Sequence, residues 1–343
     1  MTVWEHKSQH EHVETLPLIS KSATVTEVKM MDKDRREEVR QQLLKLGRKH
    51  GFTDLIPTKG PIDWDRIFDE ATQASRQLAP RIGALRDRFE RAHPALVRIA
   101  FETDQPFDFA AGQYLSIQYG DRTRAYSIAS SPTREETELC IRRVPDGRLS
   151  PRLCEELSVG DQIAVRGPNG DLLLEDQSRR NMAFLATGTG VAPMKSMIDY
   201  VFETGRDKYR GKKRDVWLFL GAAWEDDLPY HEAFVNLEAE HENFHYIPCL
   251  SREPWLSGWD GETEYIQDAL LKYIDERALD DAVFGRHMAT MLANAPTTTI
   301  DARIDPHELE VYACGINAMV YSLETAVKRL GVPERNIHCE GYG

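Results

Sequence analysis

The spacing of hydrophobic and polar positions changes several times along the chain, and each change marks a different kind of structure. Residues 1 to 20 are polar without a period and read as a tail. Ala23-Thr24-Val25-Thr26-Glu27-Val28 then alternates β-branched and polar residues, the two-residue period of a strand. From Lys33 to Pro94 the apolar positions recur at helical spacing: Val39, Leu43 and Leu46, then Trp64, Ile67, Phe68 and Ala71, then Ile82, Leu85 and Phe89. Gly47 or Gly51 can close the first of these helices and Pro80 can open the third. Short β runs follow at Leu96-Val97-Arg98-Ile99-Ala100-Phe101, Gln113-Tyr114-Leu115-Ser116-Ile117, Glu138-Leu139-Cys140-Ile141-Arg142 and Gln162-Ile163-Ala164-Val165. Turn residues separate them, a pattern that predicts a small antiparallel barrel.

The second half has another rhythm. Asn181-Met182-Ala183-Phe184-Leu185-Ala186 is an apolar strand that runs directly into Thr187-Gly188-Thr189-Gly190-Val191-Ala192-Pro193, a glycine turn with a helix expected near Pro193. Asp215 to Gly221 and Glu310 to Gly315 are two more apolar strands ending in glycine, with helical stretches between and after them. This alternation predicts a parallel sheet with helices on both faces. Ligands of such sheets bind beyond the carboxyl ends of the strands, where Thr187, Gly221 and Cys314 stand.

A chain of 343 residues with 41% hydrophobic and 29% charged residues suits two globular domains and excludes disordered or fibrous classes. The N-terminus lacks the apolar core of a leader, and no window approaches a membrane span, so a soluble cytoplasmic protein is expected. Five dispersed cysteines fit a reducing compartment, and none has metal-cluster spacing, so an iron–sulfur centre would belong to another protein. His6, His10 and His12 are read as part of the tail, with no metal assigned. A net charge of −13 argues against nucleic acid or anionic membrane as the main partner. The helical segment 33–94 is the exception, with 14 Lys/Arg against 10 Asp/Glu. It is either a solvated helical face or a docking surface for an acidic partner.

Candidate chemistry gathers in the loops. Arg124-Ala125-Tyr126-Ser127 combines a phosphate-pairing guanidinium, an aromatic ring and a hydroxyl. Gly147-Arg148-Leu149-Ser150-Pro151 places a hydroxyl before a short helix, where serine serves as an N-cap and the helix terminus as a phosphate site. Glycines in the turn at Thr187 to Gly190 let a backbone approach a pyrophosphate. Cys314 alone is more simply a small buried residue.

In order, these elements resemble the ferredoxin-NADP reductase family over about Ser22 to Met31 and Leu96 to Gly343. The resemblance implies a two-domain α+β and α/β fold. Its first domain, 1–178, would be an antiparallel FAD-binding β-barrel carrying the helical insertion at about 33–94, and its second, 179–343, a Rossmann-like parallel-sheet NAD(P)-binding domain. Arg124-Ala125-Tyr126-Ser127 is similar to the family's flavin motif, implying Arg124 on the FAD pyrophosphate, Tyr126 against the flavin and Ser127 near its N5 edge. Cys140-Ile141-Arg142-Arg143-Val144 and Gly147-Arg148-Leu149-Ser150 resemble the following strand and phosphate loop, which places Cys140, Arg142, Val144, Gly147 and Ser150 among the cofactor contacts. Thr187 to Pro193 resembles the nucleotide turn and assigns Thr187, Gly188, Gly190 and Pro193, with Gly221, to the nicotinamide nucleotide. Tyr312-Ala313-Cys314-Gly315 resembles the strand end whose cysteine lies beside the nicotinamide. The ending Glu340-Gly341-Tyr342-Gly343 is similar to the plant-type terminus Glu-x-Tyr with one residue added. Tyr342 would then cover the flavin until the nicotinamide displaces it, and Glu340 would belong to the cluster that passes protons between Ser127 and solvent. Ser127, Cys314, Glu340 and Tyr342 are the catalytic residues this implies.

Coenzyme choice is read from two stretches. Ser251-Arg252-Glu253 and Tyr265-Ile266-Gln267 resemble the plant-type clamp on the 2′-phosphate of NADPH, with Arg252 supplying charge and Tyr265 stacking on adenine. Thr263 or Glu264 stands where that clamp has a lysine, Glu225, Asp226 and Asp227 follow Gly221, and Trp259-Asp260-Gly261 is similar to oxygenase-reductase components; these features favour NADH. NADPH is the expected coenzyme and NADH the alternative. The implied activity is electron exchange between NADPH and ferredoxin or flavodoxin through FAD. Its alternatives are an NADH-dependent reductase component of an oxygenase chain and a non-catalytic subunit using the barrel as scaffold. An acidic carrier needs a local positive surface, expected at Arg35, Arg36, Arg40, Arg48 and Lys49 of the insertion.

Overall fold

The computed structural model of the protein describes residues 19–175, 177–279 and 295–342. The histidines of the tail and Gly343 lie outside these. The first strand, β1 (Ile19–Met30), leaves the barrel at Met30 and the chain forms three helices, α1 (Arg36–His50), α2 (Trp64–Ala74) and α3 (Ala79–Glu90). It then returns as β2 (Leu96–Thr103), which pairs with β1 in antiparallel register, Val28 opposite Ile99 and Met30 opposite Val97. The helices are thus inserted between two neighbouring strands, as the spacing predicts. Gly51, in the left-handed region at φ 88°, closes α1, while Gly47 stays within the helix and accepts the Gly51 N–H at 2.8 Å through its carbonyl. Asp63 caps α2 by accepting the Arg66 N–H, and Pro80 stands in the first turn of α3.

Four further strands complete the barrel: β3 (Tyr114–Tyr119), β4 (Arg122–Ser127), β5 (Thr137–Arg142) and β6 (Gln162–Asn169). The strand order is β4-β3-β6-β1-β2-β5, and an antiparallel bridge between Ile128 and Leu139 brings the two edges together, so the barrel is nearly closed. Alternation along the strands turns Val25, Ile99, Phe101, Leu115, Ile117, Leu139, Ile163 and Val165 into one core. The short helix α4 (Ser150–Glu155) adds Leu153 and Cys154 to it.

The second sheet contains β7 (Asn181–Thr187), β10 (Val216–Ala222), β11 (Phe244–Leu250), β12 (Leu309–Ile316) and β13 (Ile337–Tyr342), all parallel, in the order β11-β10-β7-β12-β13. A small exposed hairpin of β8 (Lys208–Tyr209) and β9 (Lys212–Lys213) lies outside it. Helices α5 (Val191–Glu203) and α6 (His231–Glu240) pack in the core on one face, and α7 (Ile266–Leu271) and α8 (Asn317–Arg329) in the core on the other. Strand β7 shows why: Met182, Phe184 and Ala186 join the first core while Ala183 and Leu185 join the second. The first core also takes in Leu96, Ala129, Cys140 and Leu172 from the barrel side, so the two sheets share buried apolar surface. Ser196 of α5 donates to the Ser130 carbonyl at 2.7 Å across the same junction.

The inserted helices do not form a free lobe. Their core of Val39, Leu43, Ile67, Ala71, Ile82 and Leu85 continues into Trp224, with Ala223, Trp255 and Leu256 packed against it, all from loops of the parallel sheet. Charge follows the same route. Arg35 makes two hydrogen bonds to the Glu253 carboxylate, at 2.7 and 2.8 Å, and Arg88 reaches Asp226 at 2.6 Å. Asp226 also accepts the Lys33 N–H, and Arg91 lies 2.5 Å from Asp227. Arg40 is buried against the Pro57 and Gly60 carbonyls. The expected docking surface is corrected accordingly: Arg35 and Arg40 face inward, and of the five basic residues only Arg36, Arg48 and Lys49 are exposed.

Glu253 has 0% of its side chain exposed, and besides the Glu225 N–H, which donates to it at 2.8 Å, its charge is met by Arg35. Removing one member of a buried pair strands the other, at a cost of about 3–5 kcal/mol. Arg35→Met is therefore expected to destabilise the chain by about that amount. Urea unfolding of variant and parent checks it, and an unchanged midpoint would contradict the role assigned to the pair.

Candidate functional site

The carboxyl ends of the parallel strands open into a cleft of about 620 Å³ between the two sheets. Thr187, Gly188 and Thr189 line it from the turn after β7, Gly221 and Ala222 from the end of β10, Arg142 from the end of β5, and Tyr342 from the end of β13. Residues Gly188 to Gly190 form a single 3-10 turn and α5 begins at Val191, two residues before Pro193. Pro193 is buried in the first turn of that helix and is not among the lining residues.

The turn is built for close approach. A Cβ on Gly190 would stand 2.3 Å from the Cys314 carbonyl oxygen and 2.8 Å from the Tyr342 hydroxyl, so only glycine fits. Beside it, the buried Thr187 Oγ1 lacks a hydrogen-bond partner. An orphan hydroxyl next to a glycine turn at the N-terminus of a 13-residue helix fits a bound dinucleotide, whose phosphates take up such donors.

The barrel side supplies the flavin candidates. Arg124, Tyr126 and Ser127 lie on β4, opposite Ile117, Leu115 and Tyr114 of β3. Arg124 is exposed and makes no ion pair among the described residues, only a bond to the Thr123 carbonyl. Burial pushes the Tyr126 phenol up to about 12, so it stays neutral. Ser150 departs from expectation: Leu149 occupies the N-cap position, and the Ser150 hydroxyl accepts the Val144 N–H at 3.0 Å, closing the loop on itself. Gly147 has no room for a side chain, since a Cβ would meet the Val144 carbonyl at 2.9 Å. The free guanidinium and the tight loop fit a phosphate-bearing cofactor. Cys140 is a core residue and Val144 is 55% exposed at the surface.

Of the four expected catalytic residues, Tyr342 lines the cleft and Ser127, Cys314 and Glu340 do not. Cys314 is fully buried behind Gly190, and burial, with Glu340 adding to it, pushes its thiol well above the ordinary range. It is the small core residue of the simpler reading, one layer behind the lining. Glu340 pairs in register with Cys314, and burial, reinforced by Asp171, raises its carboxyl. No hydrogen bond joins Ser127 to Glu340 among the described residues, so a direct relay between them is not formed. Tyr342 lines the cleft, buried enough to raise its phenol, with Thr189 beside it.

At the outer end Ser251, Tyr265 and Gln267 line the cleft, and Tyr265 is 69% exposed, an open aromatic face. Arg252 is not among the lining residues; its guanidinium reaches toward Asp87 of α3, 3.7 Å away. In its place is Glu264. Lys272 lies 2.7 Å from both Glu264 and the wholly buried Glu262. Burial opposes ionisation of Glu264, but Lys272 outweighs it and holds the carboxyl below its usual range. Asp227 also lines the cleft. Its sequence signal was a run of three acids after Gly221, readable as charge but not as position.

Because the Gly190 clash would be with the backbone of β12, Gly190→Ala should abolish adenine-dinucleotide binding by calorimetry while leaving the far-ultraviolet circular dichroism intact. Retained binding would remove the close-approach argument.

Comparison with known proteins agrees with this layout. A model of the oxidoreductase FAD-binding domain matches residues 93–173, and one of the oxidoreductase NAD-binding domain matches 184–325. The phenol hydroxylase P5 protein of Acinetobacter pittii is 30% identical over 73% of this chain and 62% of its own length. The chain thus spans about three-fifths of that relative. Ferredoxin–NADP reductase B of Sorangium cellulosum is 28% identical over 80% of this chain and 97% of its own length. The crystal structure of a cytochrome P450 reductase from Amycolatopsis superposes with a TM-score of 0.62 at 22% identity, over 95% of this chain and 71% of that one, which speaks for the fold. With a nearly closed antiparallel barrel, a parallel sheet whose glycine turn fits a dinucleotide, and both domain models in the matching order, the chain belongs to the ferredoxin-NADP reductase-like family of FAD- and NAD-binding oxidoreductases.

Proposed function

We propose that the chain is an FAD-dependent NAD(P)H oxidoreductase that passes electrons to a separate one-electron carrier of the ferredoxin or flavodoxin kind. One observation carries this reading: the glycine turn of the parallel sheet, Arg142 of the barrel and the C-terminal Tyr342 converge on a single cleft. FAD, when bound, supplies the conversion between two-electron and one-electron chemistry. The chain's own residues do the rest. Arg124 offers a free guanidinium to the FAD pyrophosphate, and Tyr126 offers a neutral ring to the flavin. Thr187, Gly188 and Gly190 hold the dinucleotide at the strand ends, and Tyr342 covers the cleft until the nicotinamide enters. Ser127 is the hydroxyl nearest in sequence to that ring, and the buried Cys314 shapes the wall behind Gly190. The five free cysteines fit a cytoplasmic setting.

The carrier is proposed to be a separate protein, in keeping with relatives named as reductase components and ferredoxin reductases. Among the described residues no helix is long and apolar enough to cross a membrane. Of the five basic residues expected to meet an acidic carrier, Arg36, Arg48 and Lys49 are exposed, and Lys33, Lys45, Lys59, Arg66 and Arg76 of the same insertion are exposed with them. This positive surface is the proposed dock for the carrier.

A second reading concerns the coenzyme. Glu264, kept ionised by Lys272 at the outer end of the cleft, accepts a hydrogen bond from a ribose hydroxyl and repels a phosphate. Arg252, the residue that argues for NADPH, is turned toward the insertion. This favours NADH and the oxygenase-reductase alternative.

The spectrum of the purified protein tests the main reading: a flavin band that NADH or NADPH bleaches anaerobically is expected. A colourless protein, or a yellow one inert to both, would favour the non-catalytic scaffold instead. For the coenzyme, NADH should half-saturate bleaching at lower concentration than NADPH. Glu264→Gln should narrow the gap about tenfold, the scale of one partly screened charge pair. A parent that prefers NADPH would return the role to Arg252.

A further inference from the structure

The insertion meets the walls of the nucleotide cleft at Ala223, which packs against its apolar core, and through charge at Asp227. This carboxylate has 2% of its side chain exposed and lines the cleft. Two guanidiniums compete for its Oδ1. Arg91, from the chain following α3, stands 2.5 Å away, and Arg142, at the end of barrel strand β5, stands 3.6 Å away. The Arg91 contact is an ion pair without an aligned hydrogen bond, since Asp227 Oδ1 has none. Arg142 is held only loosely, with 42% of its side chain exposed, and its Nη1 lies 3.9 Å from where a Cβ on Gly188 would stand. Its charge therefore lies beside the glycine turn.

A buried carboxylate takes the nearest cation available to it. With Arg91 at 2.5 Å, Asp227 holds Arg142 only by the longer 3.6 Å contact, which Arg142 can leave for an anion arriving at the turn. Without Arg91, Asp227 would have no close cation but Arg142 and would draw it out of the cleft. We propose that Arg91 is a positioning residue for the dinucleotide: by neutralising Asp227 from the insertion, it releases Arg142 to pair with the pyrophosphate. The proposal rests on reading the cleft as the nucleotide site. It also gives the insertion a role within the reaction, apart from any docking.

The test is equilibrium binding of ADP-ribose, which carries the pyrophosphate but no nicotinamide, to the FAD-loaded protein by calorimetry. Half-saturation of anaerobic flavin bleaching is measured beside it. Arg91→Met should weaken ADP-ribose binding and raise the half-saturating nucleotide concentration by about tenfold, the worth of one charge-assisted contact, with the limiting bleaching rate kept. Arg91→Lys, which keeps the charge, should bind as the parent does. Adding Asp227→Asn to Arg91→Met should restore most of the affinity, because the competing carboxylate is gone. Parent-like binding by Arg91→Met would overturn the proposal. So would a double variant no better than the single one, which would mark Arg91 as a merely structural support. If the parent itself binds no ADP-ribose, the nucleotide reading falls first, and the proposal with it.

Discussion

Three acidic side chains of the parallel-sheet loops, Asp226, Asp227 and Glu253, are buried between the sheet and the insertion, and three arginines of the insertion make that crowding tolerable. Arg35 on Glu253, Arg88 on Asp226 and Arg91 on Asp227 are nearly or wholly withdrawn from water. Ions in such a place are stable only together. The array therefore couples the first and second halves of the chain: the insertion leaves the barrel between β1 and β2, and its charges end on loops that follow β10 and β11. The apolar contacts of Trp224 and Trp255 with the helices reinforce the same junction.

That junction bears on the cleft because the loop after β10 serves both. Its inner acids hold the insertion, and its last one, Asp227, faces the cleft. The other walls come from strand ends, where a parallel sheet leaves a gap with backbone donors directed into it. Gly190 is what allows the wall to close, since the Cys314 carbonyl of β12 and the Tyr342 hydroxyl leave no room for a Cβ there. Rigid strands carry the small groups, and the mobile choices are left to long side chains, Arg142 and Tyr342. Such a division suits a site that must hold two large planar ligands in turn.

A protein of net charge −13 with a basic insertion invites a docking explanation, and the structure gives part of that charge a second use. Arg35 and Arg88 of the insertion face inward, against Glu253 and Asp226, carboxylates that a single-sequence reading assigned to coenzyme choice. The coenzyme question moves instead to Glu264, two residues from the buried Glu262 that shares its lysine.

The sequence by itself carried the two sheets, the place of the inserted helices and the residues of the glycine turn. These follow from local rules: period two along Val25 to Val28, period 3.6 along Val39 to Leu46, and a strand-glycine-helix succession at Thr187 to Val191 each constrain the backbone within a few residues. The flavin roles of Arg124, Tyr126 and Ser127 came from resemblance and not from such local rules, and they stand as proposals. Long-range pairing was not. Whether Arg35 meets solvent or Glu253, 218 residues away, depends on where the loops of a second sheet come to rest. Likewise, nothing local reveals that Ser150 bonds back to Val144, that Arg252 turns toward Asp87, or that Ser127 and Glu340 stay unbonded. Charge and hydrogen-bonding capacity are written in residue types. Which partner satisfies them is decided by packing, because a buried polar group takes the nearest complement that the folded chain offers.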